Sequence, residues 1–215
     1  LLFILRGFTI FVPQTLERKT IIGGIREAAE GDWVASLFGG KILQPLFSWM
    51  GDNGWIEVYD RGINAGKPIV DGIPALVVWA LVLIVFAHVL LTRTRFGNWI
   101  YASGGDARAA SYVGVPVNRV KILMFVFTAF CATVLATCQV MEFGSAGADR
   151  GVLKEFEAII SVVIGGALLT GGYGSIIGAG LGALIFGVVQ QGLFFAGVES
   201  SLFRVFLGLI LLLAV

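Results

Sequence analysis

A chain of 215 residues that is 57% hydrophobic and 13% charged, with a mean hydropathy of +0.91, has too little polar side-chain surface to cover a body in water. Its formal net charge of +1 lacks the basic excess that nucleic-acid binding needs, and one His and two Cys supply no cluster with metal-ligand spacing. Composition places the chain among polytopic membrane proteins as an all-α transmembrane helical bundle, because apolar stretches of about 17 to 25 residues are what a hydrocarbon core of about 30 Å demands.

Six apolar stretches are predicted as spans, at residues 1–13, 73–91, 120–141, 156–169, 173–197 and 201–215. The chain opens inside one apolar run and stops inside another, so it reads as part of a longer membrane protein with earlier spans. After the first run comes a long segment, 14–72, that carries Trp33, Trp49 and Trp55 among Phe38, Leu43, Leu46 and Phe47. Aromatic residues at this density suit short helices lying at headgroup level. One such helix is predicted over 24–37, with Gly39-Gly40 separating it from a second. The same segment is also a candidate landing surface for a soluble partner, with Glu27, Glu30, Asp32, Asp52 and Asp60 as ion-pair candidates.

The span 73–91 ends near His88, read as an interfacial histidine rather than a proton relay, and leads into the connection 92–119. Arg93, Arg95, Arg108, Arg119 and Lys121 stand in and beside this connection against Asp106 alone. The segment 14–72 sets six basic residues against eight acids, and the connection 142–157 two against four. Short loops rich in Lys and Arg stay on the cytoplasmic side, so 92–119 is predicted inside, and 14–72 and 142–157 outside. Within the inside connection Gly104-Gly105 are expected to break the chain and Asp106 to cap a helix over 107–113. Gly114 would then form a left-handed cap, and Pro116 would forbid continuation. So short a helix is marginal alone. It either rests on its own lipid-proximal helices or is a coupling helix seated in a groove of an ATPase subunit.

The span 120–141 carries Cys131 and Cys138, seven residues and about 10 Å apart along a helix, too far for a disulfide. Thr133, Thr137 and Gln139 on this span, with Gln190 and Gln191 on 173–197, are candidate pathway-lining groups for a hydroxylated solute, since hydroxyls and amides both donate and accept. For Thr the competing reading is a bond to its own helix backbone. The stretch 156–169 is too short to cross untilted and is flanked by Gly165, Gly166, Gly171 and Gly172, so it reads as a half-span or broken helix. Gly174, Gly178 and Gly182 recur at four-residue spacing, a face for close helix packing that Gly165 and Gly166 extend; a surface that slides in alternating access is the other reading. Arg6 and Arg204 lie within apolar runs and are expected to snorkel or to meet acids such as Glu199. No Gly-Lys pair is followed by Ser or Thr, since Ile42 and Pro68 follow Gly40-Lys41 and Gly66-Lys67, so no phosphate-binding loop is predicted.

Two blocks carry a family resemblance. Thr94-Arg95-Phe96-Gly97, Ala102-Ser103-Gly104-Gly105-Asp106, Ala109-Ala110 and Gly114-Val115-Pro116-Val117 form the first, and Glu155 to Gly166 followed by Gly171-Gly172-Tyr173-Gly174-Ser175-Ile176-Ile177-Gly178 the second. Together they resemble the ribose/xylose-type sugar permeases of ABC transporters, over most of the chain from residue 73 onward. The first block is shared with the related branched-chain amino-acid permeases; the glycine block looks more like the sugar branch. The resemblance implies a multi-pass protein of the bacterial inner membrane that pairs with a second permease subunit, as a homo- or heterodimer. An extracytoplasmic sugar-binding protein would feed it and ATP-binding subunits would power it, with ATP and Mg on those partners and no cofactor in this chain. It also implies that Gly104, Gly105, Asp106, Ala107, Arg108, Ala109, Ala110, Ser111 and Gly114 form the ATPase-coupling element. The family usually has Asn and Glu where this chain has Asp106 and Arg108, a departure that bears on which ATPase it accepts. An ion-coupled carrier is the competing class, for which acidic or His pairs at mid-membrane are expected. An intramembrane enzyme would need a Ser/His, paired Asp or metal set at membrane depth.

Overall fold

A computed structural model describes residues 21–29, 31–59, 68–70, 72–147 and 150–197, and isolated positions at either end such as Phe11 and Leu202. The predicted spans 1–13 and 201–215, with Arg6, Glu199 and Arg204, fall outside the described residues. The elements in order are β1 (Ile21–Gly23), α1 (Ile25–Ala28), α2 (Trp33–Phe38), β2 (Lys41–Ile42), α3 (Gln44–Asp52), β3 (Ile73–Pro74) and α4 (Ala75–Arg93). There follow α5 (Arg95–Gly105), α6 (Ala107–Tyr112), α7 (Val117–Phe143), β4 (Ser145–Gly147), α8 (Lys154–Ile164) and α9 (Ile176–Phe195).

Among the described residues three helices are long and apolar enough to cross a membrane, α4 with 19 residues, α7 with 27 and α9 with 20. At about 1.5 Å per residue α4 and α9 match a core of about 30 Å, and α7 overshoots it. Leu81, Val82 and Phe86 of α4, Leu123, Phe125 and Leu135 of α7, and Leu184, Ile185 and Val189 of α9 lie exposed at positions well apart round each helix, so the apolar surface does not form one narrow stripe. The predicted span 156–169 is shorter than expected: α8 has 11 residues and stops at Ile164, where Gly166 and Ala167 close the helix by donating to Val163 and Val162 carbonyls at 2.8 and 3.2 Å. The described residues are mainly helical, as an all-α membrane fold requires, and their four strands, each of two or three residues, were not legible in the sequence.

The chain divides into two compact units, Leu1–Val82 with Phe130–Arg150 and Leu83–Ala129 with Gly151–Val215. In the first unit the strands staple the 21–52 segment to the ends of two spans. β1 pairs antiparallel with β4, Ile21 opposite Gly147, and β2 with β3, Lys41 opposite Pro74. Trp79 of α4 donates its indole N–H to the Leu37 carbonyl at 3.0 Å and stacks on Phe38 with centroids 5.2 Å apart. The single helix expected over 24–37 is broken into α1 and α2, because Gly31 adopts φ +96° and Asp32 an extended conformation. Gly39-Gly40 does end α2 as expected. Trp33 and Trp55 remain more than two-thirds exposed, as headgroup-level aromatics would be.

The core of the second unit lies between α8 and α9. Ile160 and Phe186 are buried there, and Ser161 donates to the Glu157 carbonyl of its own helix at 2.6 Å. The helices come close enough for backbone contact. A Cβ on Gly165 would lie 2.7 Å from the Ala179 nitrogen, and one on Gly182 would lie 2.6 Å from the Gly165 nitrogen. Small residues at such a crossing are what lets helices associate where water exclusion does not drive them together.

Candidate functional site

The connection between α4 and α7 is two helices rather than a loop with one. Thr94 leaves the helical region with φ −118°, ψ 155°, accepts from the Gly97 amide at 3.2 Å and donates to the Leu90 carbonyl at 2.5 Å, so α5 begins where α4 ends. Gly104-Gly105, expected to break the chain, instead form the last turn of α5. Propensity disfavours glycine there, and tertiary contact with the Gly171-Gly172 turn outweighs it.

Asp106 ends α5 and starts α6. Its carboxylate oxygen Oδ1 accepts from the amides of Arg108 at 2.8 Å and Ala109 at 3.0 Å, satisfying two of the donors that a helix N-terminus leaves open. At the other end Gly114 takes φ +85° and Val115 donates back to the Ala110 carbonyl at 3.0 Å, a Schellman closure. Pro116 then accepts from Val120 and opens α7. Six residues too few to be helical alone are therefore held by caps at both ends. Ala110 is buried beneath the helix, while Arg108, Ala109 and Ser111 face outward. Tyr112 is 89% exposed and Val113 80% exposed at its C-terminal tip. Neither stands among the residues picked out from the sequence. The available signal was an aromatic beside a β-branched residue just before a helix-ending glycine.

Replacing Asp106 with Ala is expected to speed amide exchange at Arg108 and Ala109 about fivefold, the equivalent of about 1 kcal/mol of cap energy, whereas Asp106→Asn keeps it near wild type. Hydrogen exchange read by mass spectrometry checks both. Equal acceleration in the two variants would mean that charge, not capping, orders α6.

The remaining sequence candidates are spread along helices. Thr133 and Thr137 line a shallow groove on α7 with Ala132, Ala136 and Val140, and the Thr137 hydroxyl donates to the Thr133 carbonyl at 2.9 Å, the backbone bond weighed against a pathway role. Gln139 and Gln190 are half-buried and Gln191 is exposed. Gly178 and Gly182 lie on the α9 face that meets α8, whereas Gly174 precedes α9, in the turn, with φ +153°. His88 differs from the satisfied interfacial residue expected of it, since its Nδ1 is buried with no hydrogen-bond partner among the described residues.

A family model described as branched-chain amino acid transport system / permease component matches residues 3–215. The chain belongs to this permease family. The permease is similar to an autoinducer 2 import system permease protein of Salmonella typhimurium, 38% identical over 144 residues that cover 67% of this chain and 43% of the relative. It is also similar to a ribose import permease protein of Escherichia coli, 34% identical over 171 residues covering 79% and 48%, and to a fructose import permease protein of Bifidobacterium longum, 36% identical over 139 residues covering 65% and 41%. The matched stretch spans less than half the length of each of these relatives. No solved structure matches the permease. Membership makes it a membrane subunit of a transporter; α5, α6 and the start of α7 carry the first block by which its sequence resembles sugar permeases, and α8, the α8–α9 turn and the start of α9 carry the second.

Proposed function

We propose that the permease is a membrane-spanning subunit of an ATP-driven, binding-protein-dependent importer of a monosaccharide or sugar alcohol, working by alternating access. The observation that carries this is α6, a six-residue helix capped at both ends in a basic connection between two helices long enough to cross a membrane. A rigid, outward-facing helix of that size suits a handle for a partner, and the nucleotide hydrolysis that drives import would then belong to that partner. In this reading the 92–119 connection is cytoplasmic and ATP-binding subunits dock on α6, with ATP and Mg held by them. The 14–72 segment is the outer surface offered to the binding protein, and a second permease subunit completes the pathway in a bacterial inner membrane. Thr133, Thr137, Gln139, Gln190 and Gln191 are the pathway candidates, and about six spans belong to this part of the chain, with α8 as a half-span. The relatives, which include ribose and fructose import permeases, support the sugar class; the family description keeps branched-chain amino acids as the second class to test.

Reconstitution of the full-length permease with the ATPase and binding protein encoded beside it provides the test. Vesicles are expected to accumulate a labelled sugar or polyol only when ATP is supplied, and to ignore leucine, isoleucine and valine. Uptake that persists without the ATPase would overturn the importer reading, and uptake of leucine alone would overturn the substrate class.

A further inference from the structure

The last turn of α5 and the turn between α8 and α9 meet backbone to backbone. A Cβ on Gly104 would lie 2.7 Å from the Gly172 nitrogen, one on Gly171 would lie 2.6 Å from the Gly104 carbonyl oxygen, and one on Gly172 would lie 2.8 Å from the Gly105 Cα. Gly171 and Gly172 also adopt φ +89° and +76°, so both sterics and backbone conformation require glycine. One turn earlier on α5, the Tyr101 hydroxyl donates to the Gly174 carbonyl at 2.7 Å. Beyond the turn, Ser175 caps α9 by accepting from the Gly178 amide at 3.0 Å, and the Gly165 and Gly182 contacts hold α9 against α8.

A contact between side chains yields when one rotates. A contact between main chains has nothing to rotate, and close-packed interiors transmit displacement instead of absorbing it. The link from α6 back to α5 is equally short, because Asp106 is at once the end of one helix and the cap of the next. We propose that Tyr101 and the Gly104-Gly105/Gly171-Gly172 contact are positioning elements that fasten the α8–α9 hairpin to α5, so that a displacement of α6 moves α8 and α9 as one body. This rests on the reading of α6 as the place where a partner applies force. It gives the two glycine pairs a mechanical role in place of a share in the docking surface.

Two measurements test it on the reconstituted full-length complex. Tyr101→Phe removes one hydroxyl and leaves the ring, and it is expected to lower solute taken up per ATP hydrolysed about fivefold, the equilibrium equivalent of one neutral hydrogen bond, while hydrolysis continues. Gly171→Ala is expected to abolish coupled uptake. The second measurement is the distance between spin labels at Ala102→Cys on α5 and Ile177→Cys on α9, in a chain with Cys131→Ala and Cys138→Ala. That distance is expected to be the same in nucleotide-free and ATP-bound complexes. An unchanged uptake ratio in Tyr101→Phe, or a label distance that shifts with nucleotide, overturns the joint. A wild-type complex with no ATP-driven uptake overturns the proposed function instead, so the two failures are distinct.

Discussion

Gly182→Ala is expected to destabilise the permease by about 1 to 3 kcal/mol, the usual cost of forcing a methyl into a filled interior. The added carbon would run into the Ser161 carbonyl oxygen and come within 2.6 Å of the Gly165 nitrogen and 2.9 Å of its Cα. All three are main-chain atoms, so no side chain can swing aside, and α9 must separate from α8 along its length. The pair holds the buried centre of its unit, Ile160, Ser161 and Phe186, which would lose packing with it. Gly187→Ala is the matched control, since nothing lies within 4 Å of its Cβ position. There the gain in helix propensity, at most about 1 kcal/mol, is unopposed. Thermal unfolding in detergent should move in opposite directions for the two variants. A midpoint unchanged by Gly182→Ala would mean that α8 and α9 do not pack as described.

On the proposal that an ATPase subunit docks on α6, Tyr112→Ala is expected to leave folding untouched and to weaken that docking by about 2 kcal/mol or more, close to thirtyfold in affinity. At 89% exposure the ring contributes little to the folded chain, yet it stands with Val113 at the tip of a helix fixed at both ends. A large, stiff aromatic side chain presented from a rigid support is the residue type that dominates interface energy when a partner's pocket closes over it. Titration of the ATPase onto the permease in nanodiscs measures the loss, and unfolding of the variant shows that the chain itself is intact. Affinity equal to wild type would return α6 to the plainer reading of a surface turn resting on its own helices.

How much of this was legible in residue order differs by feature. The helices α4, α7 and α9 coincide with the predicted spans 73–91, 120–141 and 173–197 to within three residues at each end, because long apolar runs leave little else for a backbone to do in lipid. The caps of α6 were equally plain, since Asp106 and Gly114 act on atoms two to four residues away. Helix α5 was not. Its sequence, with Gly97, Ser103, Gly104 and Gly105 in 11 residues, argues against a helix locally, and only the close approach of the Gly171-Gly172 turn explains why glycines end it. The β1–β4 pairing was hidden for the same reason, as residues more than 120 positions apart decide it, whereas the break between α1 and α2 is local, at Gly31 and Asp32.

The sequence by itself determined that this chain lives in a membrane, where its long helices run, and that a small capped helix projects from a basic connection. Those outcomes follow from hydropathy, charge and hydrogen bonds within a single turn, all read along the chain. Tertiary structure alone decided which glycines serve as caps and which as contact surfaces, and it put Tyr112 at an exposed tip and Tyr101 on the Gly174 carbonyl. The physical reason is that a missing side chain has no pattern of its own: its meaning is set by whatever backbone arrives from elsewhere to fill the space.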